Sequence, residues 1–562
     1  MDKQYLEQRV KTDTKNSLNK AAYLSLRACI LGALGAAFIS TSSLYVALKL
    51  GALPSPIIFL ALCSYVILKA LGKTSLQEAT LAHTAMSAGS IISGALAFTI
   101  PGIWILDAAA HISFIKLIIT VASGAALGLI FSALIRKHFI ENNSLVFPMG
   151  QAAANTLIAA DEGGSKAGVL FASLSASGLV VLLRDVLHVL PKQLMSISVS
   201  PMIFAMGFLA GPLSCLLWAC GAFLAHLFLM SFLVKLGIFS FAFAGELRSS
   251  LGIGCMLGCG LGLILKHVVP KARDIFAPLY KKSAQDSSIV PLRWAPFVSA
   301  LLVLCLCVIL DFPFVLSMLC IGGSWIAVSM SAQSVADSGI NPLEVFAIIM
   351  LVIARLLIPL LPLEAFLFTC VIAVACGLAG DMMSDFKAGQ LVNTSAREQW
   401  LAQSLGAFVG VFVSTAVLLI LVKAYGTQAF GEGKEFIALQ ARVVASMVSG
   451  SFVGWGLFLG LIVGCLLYFV KLPAMTFGLG LYLPLNMSLA ACLGGLLRFI
   501  LQQVHKYKSQ EKSLEQSQEQ SSDDTCKAYD TKLVVAASGI LGGEAVLSVL
   551  LALYSVVLGL LS

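Results

Sequence analysis

The sequence predicts an all-α fold, a polytopic bundle of helices that is integral to a membrane. Of its 562 residues, 59% are hydrophobic and only 11% are charged, and the mean hydropathy is +0.95. Apolar runs of about 20 residues, the length that a helix needs to cross a bilayer, recur along nearly the whole chain. These runs do not alternate with a period of two residues. That excludes a membrane β-barrel, the other fold that satisfies its own backbone hydrogen bonds in lipid.

The predicted domain organisation follows the distribution of charge. Residues 1–27 form a basic tail with no signal-peptide cleavage pattern, and positive charge before a first span predicts a cytoplasmic amino terminus. The membrane domain covers residues 28–502. Residues 503–531 are rich in Gln, Ser and Glu and are predicted to be a disordered polar loop, and residues 532–562 form the final span. We therefore expect a multi-pass protein of the inner (plasma) membrane.

The apolar runs predict about 14 to 16 spans. If all of them crossed the membrane, the lysines that open the polar loop would lie outside. The positive-inside rule opposes that arrangement, so at least one run is predicted to be re-entrant. The runs cover about 28–51, 56–71, 80–100, 117–135, 167–190, 198–216, 215–236, 249–266, 294–310, 313–332, 343–361, 363–380, 401–422, 442–470, 473–502 and 532–562.

Three segments carry signals of close packing or of a broken helix. The third run contains a patch of small residues, Ala85–Ser90, which suits close helix contact, and it is interrupted at Pro101. Segment 147–156 is short, only moderately apolar and opened by Pro148, which predicts a half-helix or re-entrant segment that lines a cavity. An amphipathic surface helix is the alternative. Glycines and a proline inside 473–502 predict a discontinuous helix.

The cysteines and the net charge of +8 exclude several classes of site. Thirteen of the fourteen cysteines lie in or beside apolar segments and only Cys526 lies in the polar loop, so no disulfide framework is predicted. Cys255 and Cys259 could share a helix face, but no third ligand stands at a familiar spacing, so we predict neither a metal site nor a cofactor. Lys and Arg concentrate in a few loops, where they set topology, so nucleic-acid binding is not predicted.

Two pairs of polar residues are predicted to face a solute pathway. Tyr45 and Lys49 are four residues apart near the end of the first span and so share a helix face. A lysine that snorkels to the interface is the alternative interpretation of Lys49. Gln151 and Asn155 share a face in the same way, and their amides suit hydrogen bonds to a neutral solute backbone.

The segment Cys376–Trp400 carries the most unusual charge pattern in the chain. An apolar run leads directly into Asp381, Asp385 and Lys387. A charge at bilayer depth costs at least about 2.5–3.5 kcal/mol, so such groups need partners or a wet cavity. If the helix continues, the two aspartates share one face, and we predict them as proton-coupling residues. The alternative is an ordinary charged helix end at the cytoplasmic surface.

The last part of the chain supplies a second polar region within apolar sequence. Tyr482 and Asn486 flank Pro484 in the broken run, and Glu544 lies near the start of the final span. A discontinuous helix together with an intramembrane acid is typical of a binding site near the membrane midplane. We predict that Tyr482 and Asn486 line the pathway and that Glu544 is a third proton-coupling candidate.

Five motifs occur in the order found in the oligopeptide transporter (OPT) family, which includes the yellow-stripe-like metal–chelate transporters. They are YVALKLG, FPMGQAAANTL, GDMMSDFKAG, LYLPLNMS followed by GGLLR, and SGILGGE. The chain resembles a compact prokaryotic member of that family from about Leu26 to Leu561. The resemblance implies secondary active uptake of short peptides or of metal chelates such as nicotianamine- or siderophore-type complexes. It also implies that uptake is usually driven by protons.

Three other classes of function are weighed against proton-coupled transport in the lipid bilayer. An intramembrane aspartyl protease would need Gly-x-Gly-Asp, but Leu378 stands where the first Gly belongs, and the only Tyr-Asp pair lies in the polar loop. The absence of a P-loop argues against ATP-driven transport by this chain alone. A facilitative channel is disfavoured by the interrupted helices. The sequence does not decide between peptide and metal-chelate substrates. It also leaves open the coupling ion and whether the protein forms a homo-oligomer.

Overall fold

A computed structural model of the chain describes most of the membrane domain. The described residues are 24–50, 57–141, 145, 147–162, 165–187, 200–263, 265–266, 295–339, 341–431, 434–450, 453–483, 485–516, 532–533, 535–537, 539–540, 543–544 and 547. The predictions for the amino-terminal tail up to residue 23, for residues 517–531 and for most of the final span fall outside this set.

Within the described ranges the chain is helical, and its only strand-like contact is an isolated bridge between Phe430 and Phe436. The all-α prediction is confirmed. The helices of the first half are α1 Leu26–Leu50, α2 Ile57–Ala70, α3 Leu76–Thr99, α4 Gly102–Leu106, α5 Phe114–Arg136, α6 Pro148–Glu162, α7 Ser165–Val181, α8 Pro201–Ala210, α9 Pro212–Phe223 and α10 Phe241–Leu263. Those of the second half are α11 Ala295–Ile309, α12 Phe314–Ser338, α13 Leu343–Leu357, α14 Pro362–Leu391, α15 Ala396–Tyr425, α16 Leu439–Ser449, α17 Gly454–Phe469, α18 Ala474–Tyr482 and α19 Leu485–Gln516.

Eight helices in the described part of the chain are long and apolar enough to cross a membrane, or nine if the bent pair α16 and α17 forms one span. The sequence predicts about 14 to 16 spans. The described number is smaller because several apolar runs form helices too short to span alone, such as the 15-residue helices α11 and α13. For the whole chain the count stays a prediction.

Helices α3 and α14 form the centre of the bundle. In each of them 89% of the most apolar window is buried inside the protein, far more than in the other candidate spans. A helix that is buried all round must be apolar or must have its polar groups matched by neighbours. Helix α14 packs against α3, α5, α6 and α12, and α3 packs also against α1 and α15. The buried polar residues of α3 and α14 are therefore enclosed by neighbouring helices.

The small-residue patch Ala85–Ser90 lies at the contact of α3 with α1 and α15, as predicted. Ser90 shares a hydrogen bond of 2.9 Å with Ser43 of α1. On the other side, Gly406 of α15 lies directly against the backbone carbonyl of Ala85. A Cβ at residue 406 would overlap that carbonyl, so the close approach of the two helices requires glycine there.

The predicted helix breaks have three outcomes. The break in 473–502 is confirmed, because α18 ends at Tyr482 and Leu483 is extended, the conformation that a following proline favours. At Pro101 the prediction is too strong, since Ile100 and Pro101 keep right-handed helical angles and Leu76–Leu106 counts as one span. The sequence also misses a break inside 442–470, where α16 ends at Gly450 with a positive φ of 76°.

Two helices extend beyond their predicted ends. Helix α14 continues from the predicted boundary at residue 380 to Leu391, so the charged segment is part of a 30-residue helix. Helix α19 runs to Gln516 and so enters the segment 503–531 that the sequence predicts as a polar loop. Its Gln, Lys, Glu and Leu residues are strong helix formers, which accounts for the extension.

Candidate functional site

The two aspartates of α14 are buried in the bundle. Asp381 and Asp385 are one helical turn apart, with 8% and 0% of their surface exposed. Because α14 continues past both residues, they share a face, as predicted. The alternative of a solvated helix end does not fit this burial. Lys387, two residues further on, is only partly buried and contacts Gln390 instead of the aspartates.

Helix α3 supplies two partners of Asp385. Ser87 donates a hydrogen bond of 3.0 Å from its hydroxyl to Asp385 Oδ2. His83 Nε2 lies 3.2 Å from Asp385 Oδ1, and the imidazole has no exposed surface. His83 and Ser87 are four residues apart, so one face of α3 carries both. The sequence analysis misses them, although a His and a Ser at this spacing in an apolar span were a usable signal.

Helix α15 closes the other side. Gln399 donates from Nε2 to the backbone carbonyl of Asp385 at 2.7 Å. A side chain at residue 389 would overlap the Gln399 amide, so Gly389 leaves the space in which this glutamine reaches α14. One turn further along α15, the fully buried Gln403 lies beside Asp381. Neither glutamine is among the residues predicted from the sequence.

These six residues form a buried polar cluster that we term the acid pocket: His83, Ser87, Asp381, Asp385, Gln399 and Gln403. In the described part of the chain, several of its atoms form no hydrogen bond of good geometry, namely Asp381 Oδ2, Asp385 Oδ1, both ring nitrogens of His83 and both amide atoms of Gln403. Buried polar atoms are normally paired, and ionisable residues inside membrane helices mark ion and proton routes. The acid pocket is therefore a candidate site for the binding of a proton.

The pocket does not have the form of a metal centre. No group of three His, Cys, Asp or Glu within the described ranges is arranged to hold a metal ion. Its ionisable groups are an imidazole and two carboxylates, and its other polar groups are a hydroxyl and two amides.

Tyr45 and Lys49 lie apart from the acid pocket. Lys49 Nζ donates to the Tyr45 hydroxyl at 3.2 Å, which confirms their shared face. It also forms an ion pair of 2.8 Å with Glu435, in which both side chains are almost half exposed. The Tyr45 ring meets Phe436 edge to face at 5.8 Å. The structure thus ties this pair to the segment between α15 and α16.

Gln151 and Asn155 lie on α6, the short helix that packs on α14. Gln151 is partly buried and Asn155 is exposed. Helix α6 touches α14 at Gly150 and Ser384, between the two aspartates in sequence. The predicted half-helix therefore abuts the segment that carries the acid pocket, but neither amide belongs to the pocket.

Tyr482 ends α18 at the confirmed helix break and is buried. Glu344, Arg248 and Arg442 are charged residues within electrostatic range of its hydroxyl. This second polar region includes three charged residues that the sequence analysis does not single out. Asn486 lies on α19, and its side chain is outside the described residues.

Glu544 is buried in a different set of contacts. Its Oε1 lies 3.1 Å from the Arg184 guanidinium and its Oε2 accepts a hydrogen bond of 2.9 Å from Ser200. Neither contact belongs to the acid pocket. The role of Glu544 as a proton-coupling residue stays a prediction.

Replacing Arg184 by Gln is expected to lower the free energy of unfolding by up to about 3–5 kcal/mol, because it removes the guanidinium that faces a buried carboxylate. Thermal unfolding of the purified protein in detergent measures the loss, and the additional change Glu544→Gln should restore most of it. Lys116→Gln is the control, since it breaks an exposed pair with Asp311 worth less than about 1 kcal/mol. Equal unfolding midpoints for Arg184→Gln and the wild type would contradict the assignment.

Fold and site together define a polytopic helical membrane protein with a buried, ionisable polar cluster at its centre. The family model for the OPT oligopeptide transporter protein matches residues 23–265 and 268–555. A Haemophilus influenzae (strain ATCC 51907 / DSM 11121 / KW20 / Rd) protein named "Putative oligopeptide transporter" is 22% identical over 553 residues, which cover 82% of this chain and 86% of the relative. The chain belongs to the oligopeptide transporter family, whose members are membrane transporters and not enzymes. The protease alternative is therefore set aside.

Proposed function

We propose that the protein imports short oligopeptides or metal–chelate complexes across the inner membrane by proton-coupled symport with alternating access, its amino terminus in the cytoplasm. The acid pocket carries this proposal. Asp381 and Asp385 are buried side by side, and within the described ranges neither forms an ion pair with a Lys or Arg. Membership of the transporter family supports the direction of the proposal but leaves the driving ion open.

The physical case for a proton rests on the cost of buried charge. An ionised carboxylate at bilayer depth costs at least about 2.5–3.5 kcal/mol, and two of them one turn apart also repel each other. Binding a proton removes one of these charges, so a conformation that buries the pocket favours the protonated form. An inward-facing or outward-facing conformation that wets the pocket lets the proton enter or leave.

The available driving force is sufficient. A membrane potential supplies about 2.3 kcal/mol per charge per 100 mV, which corresponds to roughly fifty-fold accumulation of a neutral solute when one proton accompanies it. No ATP site is needed for uptake of this size.

The proposed substrate-contacting residues come from three regions of the bundle. Peptides and metal chelates both present carboxylates and amines, so an ammonium, amides and a phenol can bind either class. The candidates are Tyr45 and Lys49 on α1, Gln151 and Asn155 on α6, and Tyr482 and Asn486 at the break between α18 and α19. Glu544 stays a coupling candidate, although its contacts favour a structural role.

Uptake into proteoliposomes tests the proposal. We expect an inward proton gradient, an inside-negative voltage or both to drive accumulation of one substrate class above the external concentration. The panel contains di- to hexapeptides beside iron and nickel chelates, each measured with and without a protonophore. Uptake that only equilibrates, whatever the gradient, would instead assign a facilitative channel, and accumulation with no response to pH or voltage would exclude proton coupling.

A further inference from the structure

His83 lies at the centre of the acid pocket with no exposed surface. Its Nε2 faces Asp385 Oδ1 at 3.2 Å, and among the described residues neither ring nitrogen forms a hydrogen bond of good geometry. A buried imidazole without such hydrogen bonds is costly, and an opposite charge next to it offsets the cost only while the ring is protonated. The protonation of His83 and the ionisation of Asp385 are therefore linked.

The surroundings of His83 contain few other charges. The residues packed around this stretch of α3 include Asp381 and Asp385 on α14, Gln399 and Gln403 on α15, Gly32 on α1 and Ser64 on α2. The charges that act on the imidazole come from the two aspartates. Glu78, on α3 itself, is engaged by Arg27 at 2.9 Å. In the described part of the chain, the electrostatic partners of His83 are thus the coupling candidates themselves.

We propose that His83 and Asp385 share a resident proton and that the transported proton binds beside them, on Asp381. This inference rests on the proposed coupling function and adds a residue to it. With one proton between them the His83–Asp385 pair has no net charge, so Asp381 alone changes from carboxylate to acid and back. The transported proton binds Asp381 Oδ2 from one side and leaves from the same atom to the other side. His83 is a positioning residue, because it fixes the charge beside Asp381.

The change His83→Gln tests this division of roles. Glutamine fills much of the same space but cannot hold a proton, so the unloaded pocket then contains two carboxylates without a cation, and the proton that is taken up binds to two negative charges instead of one. A nearby positive charge favours the ionised form of an acid by about one to three pH units. We therefore expect the pH midpoint of proton-driven uptake to move to higher pH by at least about one unit, while counterflow exchange of substrate continues. Initial uptake rates against external pH at fixed voltage measure the shift.

Ser93→Ala is the matched control. Ser93 is buried on the same helix, and its hydroxyl shares a hydrogen bond of 2.6 Å with Ser414 of α15, outside the acid pocket. The pH midpoint of proton-driven uptake by Ser93→Ala should equal that of the wild type. An unchanged midpoint in His83→Gln, or an equal shift in Ser93→Ala, would overturn the inference.

The variant Ser87→Ala is the second test, to be used if His83→Gln cannot be purified in folded form. It removes the hydrogen bond to Asp385 Oδ2 and should move the midpoint in the same direction by less, because a hydrogen bond to a carboxylate also favours its ionised form. An unchanged midpoint in Ser87→Ala would then overturn the inference. A failure of the proposed coupling function would give a different result, because the variant Asp381→Asn would then still accumulate substrate. If Asp381→Asn is uncoupled while the His83→Gln profile is unchanged, only the present inference fails.

Discussion

Asn in place of Asp381 is expected to abolish accumulation of substrate against its gradient while exchange of substrate across the membrane continues. The amide is nearly the same size as the carboxyl group but can neither bind nor release a proton. A carrier without its coupling proton still alternates between its two sides, so internal and external substrate equalise. Accumulation should fall from as much as roughly fifty-fold, the value that one proton at 100 mV supports, to about one-fold.

Two assays on the same proteoliposomes separate coupling from binding. Net uptake under an inward proton gradient reports the coupled step, and counterflow from preloaded vesicles reports binding and alternation. Asp311→Asn is the matched control, because that aspartate is 72% exposed and pairs with Lys116 outside the pocket. Equal loss of exchange and of net uptake in Asp381→Asn would place Asp381 in substrate binding and remove it from the coupling step.

The acids of the pocket were predictable from the sequence, but their partners were not. Asp381 and Asp385 interrupt an apolar run, and a charge in hydrocarbon demands an explanation wherever it occurs. His83 breaks no such rule, since one imidazole among Ala, Thr and Ser leaves the helix apolar. Its role comes from the contact between α3 and α14. At the neighbouring Ser87, this contact joins Ser87 to Asp385, which is 298 positions away in the chain. A single sequence, read without an alignment of its relatives, does not indicate which distant residues form such a contact.

The partners of Glu544 were not predictable for the same reason. Its partner Arg184 lies far away in the chain, and its own position in the sequence resembles that of any intramembrane acid. Lys49 is similar, because Glu435, which pairs with it, is 386 residues further on. The sequence thus predicts which residues need a partner, whereas the packing of the helices decides which partner they receive.

The packing that assembles the pocket is itself open to test at Gly406. Replacing it by Ala is expected to lower the free energy of unfolding by at least about 1–3 kcal/mol, because the new methyl group would overlap the Ala85 carbonyl and helices are not compressible. The two helices must then separate along α3, where Ala85 stands between His83 and Ser87. Gln403 lies one turn before residue 406 on α15, so the same separation opens the acid pocket.

Gly322→Ala separates this effect from the general preference of helices for alanine. Gly322 lies on α12 with no atom near the position of a Cβ, and alanine there should stabilise the helix by up to about 1 kcal/mol. Thermal unfolding in detergent should therefore show opposite shifts for the two variants. Where Gly406→Ala still folds, its pH profile should change as well, since a wider gap weakens the contact of α15 with Asp381. Equal unfolding midpoints for the two variants would mean that the packing of α3 against α15 does not require glycine at residue 406. The close approach of these helices would then not be what holds the pocket together.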